Sequence, residues 1–409
     1  MLALVLALLS LTSIAAVLFK FITADGDFTL LSKKHAKREE VEDKVLCGLL
    51  GPAAASHGDD VVADNSGKFV LLIAKSFICL SAPIASYVVG EVLAKQFASL
   101  GAKLIISARN EAELERVKKL LTGKHAPDEV IILPLDLASG EDSLNDAVQK
   151  AESCFSNAGV DYMIHNAAYE RPVNRGQSRQ TTLTLVLKDI ASRSNWVELN
   201  MMKLAWHMKT TALDVTEESL KKTNCFTTLF CMQATFNINV MGTLSLTRLL
   251  AASMLRRGRG HFVVMSSAAG KTPAPGQAVY SASKFALNGY FHSLRSELYR
   301  KGIKVTIVCP GPIKTSSVPE ANTSGQKGSS EKRVSSERCA ELTIIAATHG
   351  LKEAWISFQP VLAVMYLVQY MPSIGYWLMD KIGEKRIEVA AQKGDTYSLS
   401  LLLGRKKAL

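Results

Sequence analysis

Apolar residues along this chain switch between helical and strand periods several times, and the switches lay out an alternation of elements. Gly101 to Arg109 reads as a strand. It follows a helix from Glu91 to Leu100 that carries Val92, Leu93, Phe97 and Leu100 on related turns. Glu111 to Leu121 is a second helix, with charges at Glu113, Glu115, Arg116, Lys118 and Lys119. Val130 to Leu135 is a strand ending at Asp136. Ser143 to Ser156 is helical, and Val160 to Ile164 is a short strand ending before Asn166. Farther along come a helix at Leu244 to Leu255, a strand at His261 to Met265, a long helix at Ser281 to Tyr299 and a strand at Ile303 to Cys309. Short joins between alternating strands and helices describe an α/β fold with an open, mostly parallel, doubly wound sheet. Ligands of such sheets lie beyond the carboxyl ends of the strands. Asp136, Asn166, Ser267 and Pro310 all fall at such ends, so one shared cleft is expected.

Three stretches break the pattern. Leu46 to Gly90 passes from a Gly/Ala/Asp segment into an apolar run, Phe69 to Val89, interrupted by Lys75. Arg171 to Met232 mixes polar segments with Trp196, Trp206, Phe226 and Phe230. Both are long for connections in a compact α/β unit. Glu353 is followed by 26 residues without a charge, up to Met379, with Pro360 and Pro372 inside the run. That length suits a surface-lying membrane segment, a second span, or a helix pair packed on the domain.

The chain also opens on an apolar run. Met1 to Phe19 carry no charge, and Phe21 and Ile22 extend the run past Lys20. At about 1.5 Å per residue this nearly spans a hydrocarbon core of about 30 Å. No basic n-region or small-residue cleavage site accompanies it, which favours an anchor over residues 1–23 rather than a removed signal. Lys20, Lys33, Lys34, His35, Lys37 and Arg38 follow, so the positive-inside tendency places the body in the cytosol.

Composition narrows the classes further. The chain has 409 residues, 48% of them hydrophobic, enough for a sizeable core. Net charge is +11, which fits either a solvated basic face or a surface near anionic lipid. Arg256, Arg257 and Arg259 form one short basic cluster without aromatic interleaving, so no nucleic-acid partner is expected. The seven cysteines are scattered without a Cys-x-x-Cys pair, which argues against a disulfide framework and against a zinc site.

Candidate chemistry lies in Tyr280-Ser281-Ala282-Ser283-Lys284. Residues i and i+4 share a helix face. An ammonium beside a phenol favours the phenolate and lowers its pKa from about 10. Tyr280 is thereby prepared to move a proton to or from a substrate oxygen. Ser267, upstream at a strand end, is placed to hydrogen-bond the same oxygen. A Tyr-x-x-x-Lys spacing alone is most often a surface helix pair. Its coincidence with Ser267 and with the turn at Pro310-Gly311-Pro312 is far more specific.

These motifs, with Asn239-Val240-Met241-Gly242, Ser266 to Gly270 and Pro310 to Thr315, resemble the short-chain dehydrogenase/reductases. They look most like the membrane-anchored branch called dehydrogenase/reductase family member 7. The resemblance covers about Glu91 to Ala168 and Ala212 to Tyr370, with a gap before Ala234. It implies a Rossmann-like domain over residues 40–350 and an apolar C-terminal extension over 351–409. It also implies Tyr280 as acid/base, Lys284 lowering its pKa and binding the nicotinamide ribose, Ser267 on the substrate oxygen and Asn239 holding a relay water. Pro310, Gly311, Ile313 and Thr315 would contact the carboxamide. Asp136 would lie near the adenine, and Asn166 would brace the central strand. Where an acidic residue would accept ribose hydroxyls, this chain has Ala108-Arg109, which favours the 2′-phosphate of NADP(H). A lipophilic small-molecule substrate, membrane lipid as a partner, an endoplasmic-reticulum membrane and room for a homodimer complete what is implied.

The chain departs from the family in three places. His165-Asn166-Ala167-Ala168 stands where the family has Asn-Asn-Ala-Gly. The phosphate loop Thr-Gly-x-x-x-Gly-Ile-Gly is absent. Gly90 is the candidate for its last glycine, while Gly48, Gly51 and Gly58 miss the spacing. Those glycines bring backbone N–H groups to a pyrophosphate at a helix N-terminus. Finally, the stretch from Asn166 to Asn239 far exceeds the family's. Comparison with the family implies a disrupted first βα unit, with sequence replaced at about 46–89 and inserted within about 172–233. The alternatives are a cofactor-binding-defective membrane-associated isoform and a membrane-surface adaptor.

Overall fold

The computed structural model describes residues 25–33, 35–42, 44–49, 82–157, 159–169, 229–275, 277–314 and 333–391. The expected anchor at 1–23, most of the two atypical stretches, Thr315 and the end of the C-terminal extension lie outside the described residues.

Seven strands form one sheet: β1 (Val45–Leu49), β2 (Lys103–Ser107), β3 (Ile131–Ile132), β4 (Tyr162–His165), β5 (Gly260–Met265), β6 (Ile303–Pro310) and β9 (Glu353–Ile356). The order is β3-β2-β1-β4-β5-β6-β9, and every pairing is parallel. A small two-stranded pair, β7 (Ile313–Lys314) and β8 (Val334–Ser335), follows β6. The helices are α1 (Ala82–Ser99), α2 (Glu111–Lys119), α3 (Glu141–Asn157), α4 (Leu229–Phe236), α5 (Thr243–Arg257), α6 (Ala278–Leu298), α7 (Ser336–Thr348), α8 (Val361–Tyr370) and α9 (Pro372–Ala391).

Helices cover both faces, which explains why β6 is apolar almost throughout: a strand buried on both sides loses its alternation. On one face Leu93 and Phe97 of α1, Leu114 and Val117 of α2 and Ile344 of α7 pack together with Val308. On the other, Leu144 of α3, Leu246 and Leu250 of α5 and Leu287 and Phe291 of α6 pack with Val305 and Ile307. The doubly wound parallel sheet read from the sequence is the observed architecture. The helix α5 stops at Gly258, whose φ of 67° supplies the left-handed cap that ends a helix without a Cβ penalty.

Several boundaries differ from expectation. α1 begins at Ala82 rather than Glu91. Pro83 is tolerated because it lies in the first turn, where its missing N–H has no helical partner. Val89 continues the buried stripe of Leu93 and Phe97 backwards. The gap before this first helix, residues 50–81, remains where the sequence placed a disruption. The charge-free C-terminal run is not one continuous helix. It opens as strand β9, then forms α8 and α9, which meet at Met371 and Pro372.

Among the described residues one helical stretch, Met232–Arg257, is long and apolar enough to cross a membrane. Its Leu246, Leu250 and Met254 are buried against the sheet, so this apolar face belongs to the domain core. The arginine cluster at its end is engaged internally. Arg257 pairs with Glu152 and donates to the Val160 carbonyl at 2.7 Å, and Arg259 pairs with Asp161 at 2.9 Å.

Candidate active site

Lys284 is the centre of the site. It sits in the second turn of α6, 1% exposed, and its Nζ donates to the Met265 carbonyl at the end of β5, 2.9 Å away. The ammonium lies 5.6 Å from the centroid of the Tyr280 ring. Burial pushes the Lys284 pKa down to about 8, which still leaves it cationic at neutral pH. A lysine this deep is costly and rare unless its charge is used.

Ser267 follows β5 and caps a short 3-10 turn, Ala268–Gly270. Its Oγ accepts from the Ala269 N–H at 3.1 Å, which leaves the hydroxyl hydrogen to donate elsewhere. The turn is tied to α6: Asn288 donates to the Gly270 carbonyl at 2.8 Å, and the Ala274 N–H donates to Ser281 Oγ at 3.2 Å. The serine-bearing turn and the tyrosine-bearing helix are thus held as one unit.

Asn239 is fully buried in a π-helical turn, Asn237–Gly242, between α4 and α5. Such one-turn widenings occur frequently at functional sites. Its Oδ1 accepts from the Tyr169 N–H at 2.6 Å. Its Nδ2 donates to the Tyr169 carbonyl at 2.9 Å and to Ser283 Oγ at 3.0 Å. One side chain therefore clamps the segment after β4 to the helix that carries Tyr280 and Lys284.

The remaining candidates divide. Asn166 is buried immediately after β4. Asp136 follows β3, where its carboxylate accepts from the Ala138 N–H at 3.0 Å. Arg109 is exposed just past β2, beside Asn110, the cap of α2. Pro310 ends β6, the Gly311 N–H donates to the Ile356 carbonyl at 2.8 Å, and Ile313 pairs with Val334 in the small sheet. All stand at or just past the carboxyl ends of their strands. Gly90 does not: it is buried well inside α1, away from the helix N-terminus where a phosphate-loop glycine belongs. The extension of α1 back to Ala82 is the reason.

Nothing in the sequence pattern assigns a role to Asn288, Ser283 or Glu353 themselves. Asn288 carries a legible signal, since it lies one turn beyond Lys284 on the same helix face. Glu353, at the start of β9, gathers Lys271 at 2.9 Å, His292 at 2.5 Å and the Trp355 indole N–H. Burial raises its pKa, but hydrogen bonds from His292, Lys271 and Trp355 outweigh this and bring it to about 2. No spacing in the sequence announces that cluster. His165, which replaces an asparagine of the family pattern, is buried against Phe262 and Phe291, and its Nε2 meets Thr247 Oγ1 at 2.9 Å. Burial holds its pKa down to about 3, so it is neutral packing rather than an acid or base.

A site at the carboxyl edge of this sheet, with a tyrosine over a buried lysine and a serine on the neighbouring turn, defines an α/β oxidoreductase. Residues 85–209 and 218–325 match the family described as short chain dehydrogenase, and the chain belongs to that family. Dehydrogenase/reductase SDR family member 7 of Homo sapiens is 30% identical over 396 residues, covering 94% of this chain and 91% of that protein. Its Mus musculus counterpart is 33% identical over 314 residues, covering 74% and 77%. Both fall in the branch that the motifs resemble. A short chain dehydrogenase from Burkholderia cenocepacia, solved in complex with NADP, has a TM-score of 0.48 at 16% identity and covers 83% of this chain and 98% of its own. The family match begins inside α1, so it leaves out β1 and residues 50–81, and it breaks at 210–217.

Proposed function

We propose that this chain is a membrane-anchored, NADP(H)-dependent oxidoreductase that interconverts a lipophilic alcohol and its ketone or aldehyde. The buried Lys284 ammonium beside the Tyr280 ring is the observation that carries this proposal.

Bound NADP(H) supplies or takes up the hydride. Residues that fit it stand along the strand ends. Ser107, the last residue of β2, has a buried hydroxyl with no protein partner, and Arg109 beyond it is exposed to meet a 2′-phosphate. Asp136 and Asn166 border the same edge, and Pro310, Gly311 and Ile313 would form the carboxamide side, a role that the motif extends in sequence to Thr315. Lys284 has N–H groups beyond the one given to Met265, and these would serve the nicotinamide ribose and Tyr280. Its charge stabilises the phenolate of Tyr280, so the neutral phenol would give its proton to the substrate oxygen in reduction and the phenolate would take the alcohol proton in oxidation. Ser267 donates to that oxygen and holds it. Asn239 fixes α6 against the segment after β4 and positions a relay water.

Residues 40–350 form the catalytic domain, residues 1–23 the anchor and residues 351–409 an apolar extension. The domain faces the cytosol from an endoplasmic-reticulum membrane, and the protein associates as a homodimer. A membrane-dissolved substrate accounts for both apolar ends. One observation favours a second reading, a cofactor-binding-defective isoform: the family match omits the βα unit that carries the phosphate loop. NADPH titration of the complete chain, beside a version with residues 46–89 replaced by a short glycine loop, separates the two. Binding by the complete chain is expected. Binding only by the replacement overturns the enzyme assignment for this chain.

A further inference from the structure

The charge-free run after Glu353 splits its apolar residues between two sides. Leu362, Met365 and Val368 of α8 are buried, and Trp355 meets Tyr366 with ring centroids 4.8 Å apart. From the end of α8 into α9 the large side chains turn outward. Tyr370 is 73% exposed, Met371 50%, Ile374 52%, Tyr376 46% and Trp377 59%. Single exposed apolar residues are ordinary, but five large ones within residues 370–377 are a concentration that marks an interaction surface. Three of these five are tyrosine or tryptophan, whose rings join an apolar body to a polar tip. Such rings concentrate at the headgroup level of a bilayer.

Two further observations say what covers the patch. The first is where residues 25–27 lie. The Asp27 N–H donates to the Trp355 carbonyl at 2.9 Å, and the Trp355 N–H donates to Asp27 Oδ2 at 2.8 Å. Residues 25–27, which follow the apolar run in sequence, therefore lie beside β9, the strand that runs directly into α8. The second is charge: the run 354–379 carries none, while the chain as a whole carries +11. An uncharged aromatic face within a basic chain matches an anionic lipid surface better than it matches a second copy of the same basic chain.

We propose that the α8–α9 hairpin seats on a phospholipid bilayer, with Tyr370, Met371, Ile374, Tyr376 and Trp377 in the headgroup–acyl boundary. The seating has a consequence for the site, which rests on the oxidoreductase assignment above. Gln369 donates to the Lys271 carbonyl at 2.7 Å, and Gly383 lies against Pro275. Residues 271–275 join the Ser267 turn to the Tyr280 helix, so the docked hairpin borders the site and turns its rim toward the lipid. A lipophilic substrate then enters from the bilayer.

The test uses the full chain reconstituted with phosphatidylcholine–phosphatidylserine vesicles whose acyl chains are brominated near the headgroup. Tryptophan fluorescence is compared between the unsubstituted chain and Trp377→Phe, with far-UV circular dichroism confirming that both are folded. The bromines quench the unsubstituted chain, and the Trp377→Phe chain loses a distinct quenched component. Equal quenching in the two chains overturns the proposal. So does a Trp377 signal that depends on protein concentration but not on brominated lipid, which would assign the patch to a second copy. Neither readout uses NADPH or turnover, so failure of the enzyme assignment leaves the result interpretable.

Discussion

Replacing Lys284 with methionine should make the protein more stable while abolishing its chemistry. Burial lowers the Lys284 pKa from 10.5 to about 8. At about 1.4 kcal/mol per unit, the buried charge costs the folded state roughly 3 kcal/mol. Methionine removes that cost and fills a similar volume, but it leaves the Met265 carbonyl without its donor, a loss of about 1 kcal/mol. The net expectation at pH 7 is a gain of about 2 kcal/mol. The pH dependence carries a definite sign. The folded-state pKa is depressed, so the penalty is fully present below about pH 8. Between there and 10.5 the unfolded state binds more protons, and the stability of the unsubstituted chain rises toward that of the variant. Urea unfolding of both chains at neutral and at alkaline pH measures this. A Lys284→Met chain that is less stable at pH 7, or a difference that does not narrow with rising pH, would refute the assignment of a strained buried charge.

Other residues give independent checks. Asn239→Ala removes three hydrogen bonds and leaves the Tyr169 N–H and carbonyl without that partner, which should cost about 2–4 kcal/mol. Hydrogen exchange at the Tyr169 amide should accelerate, and unchanged protection there would count against the clamp. Gly311→Ala places a Cβ against the Ser357 hydroxyl and should cost about 1–3 kcal/mol, partly recovered in the Gly311→Ala, Ser357→Gly double variant. Thermal unfolding without that recovery would place the strain elsewhere. Glu353 titrates at about 2 when folded against 4.5 ordinarily, so its contribution is present above about pH 4.5 and lost as pH falls toward 2. Glu353→Gln should therefore be less stable than the unsubstituted chain at pH 6, with the deficit shrinking on acidification. A deficit that stays constant across that window would show the network to be uncharged packing.

The sequence made the sheet legible because its strands are buried on both faces. Leu104 to Ile106 and Ile307 to Cys309 are apolar runs of the kind a covered parallel sheet requires. Tyr280 and Lys284 were legible because a helix brings residues four apart onto one face. Contacts between distant segments were not. Nothing local in Asn239 predicts that it grips the backbone of Tyr169, or that Glu353 gathers Lys271 and His292 from separate elements. α1 starts at Ala82 rather than Glu91 because the helix continues back through the apolar run, with Pro83 in its first turn, where a proline is compatible with a helix. That shift moved Gly90 from a phosphate-loop position to a helix interior. The C-terminal run hid strand β9 because a lack of charge is shared by membrane segments and edge strands alike. There the paired Asp27 and Trp355, more than 300 residues apart, decide the fold.

The most direct test of the central claim is hydride transfer by the complete chain in detergent micelles, with NADPH and a panel of lipophilic ketones and aldehydes. Loss of the reduced-nicotinamide absorbance would be followed for the unsubstituted chain and for Tyr280→Phe. Turnover by the unsubstituted chain is predicted, falling about 10²–10⁴-fold in kcat in the Tyr280→Phe chain while NADPH affinity is retained. Absence of NADPH binding by the complete chain, or equal rates in the two chains, would contradict the assignment of Tyr280 and Lys284 as the working centre of this protein.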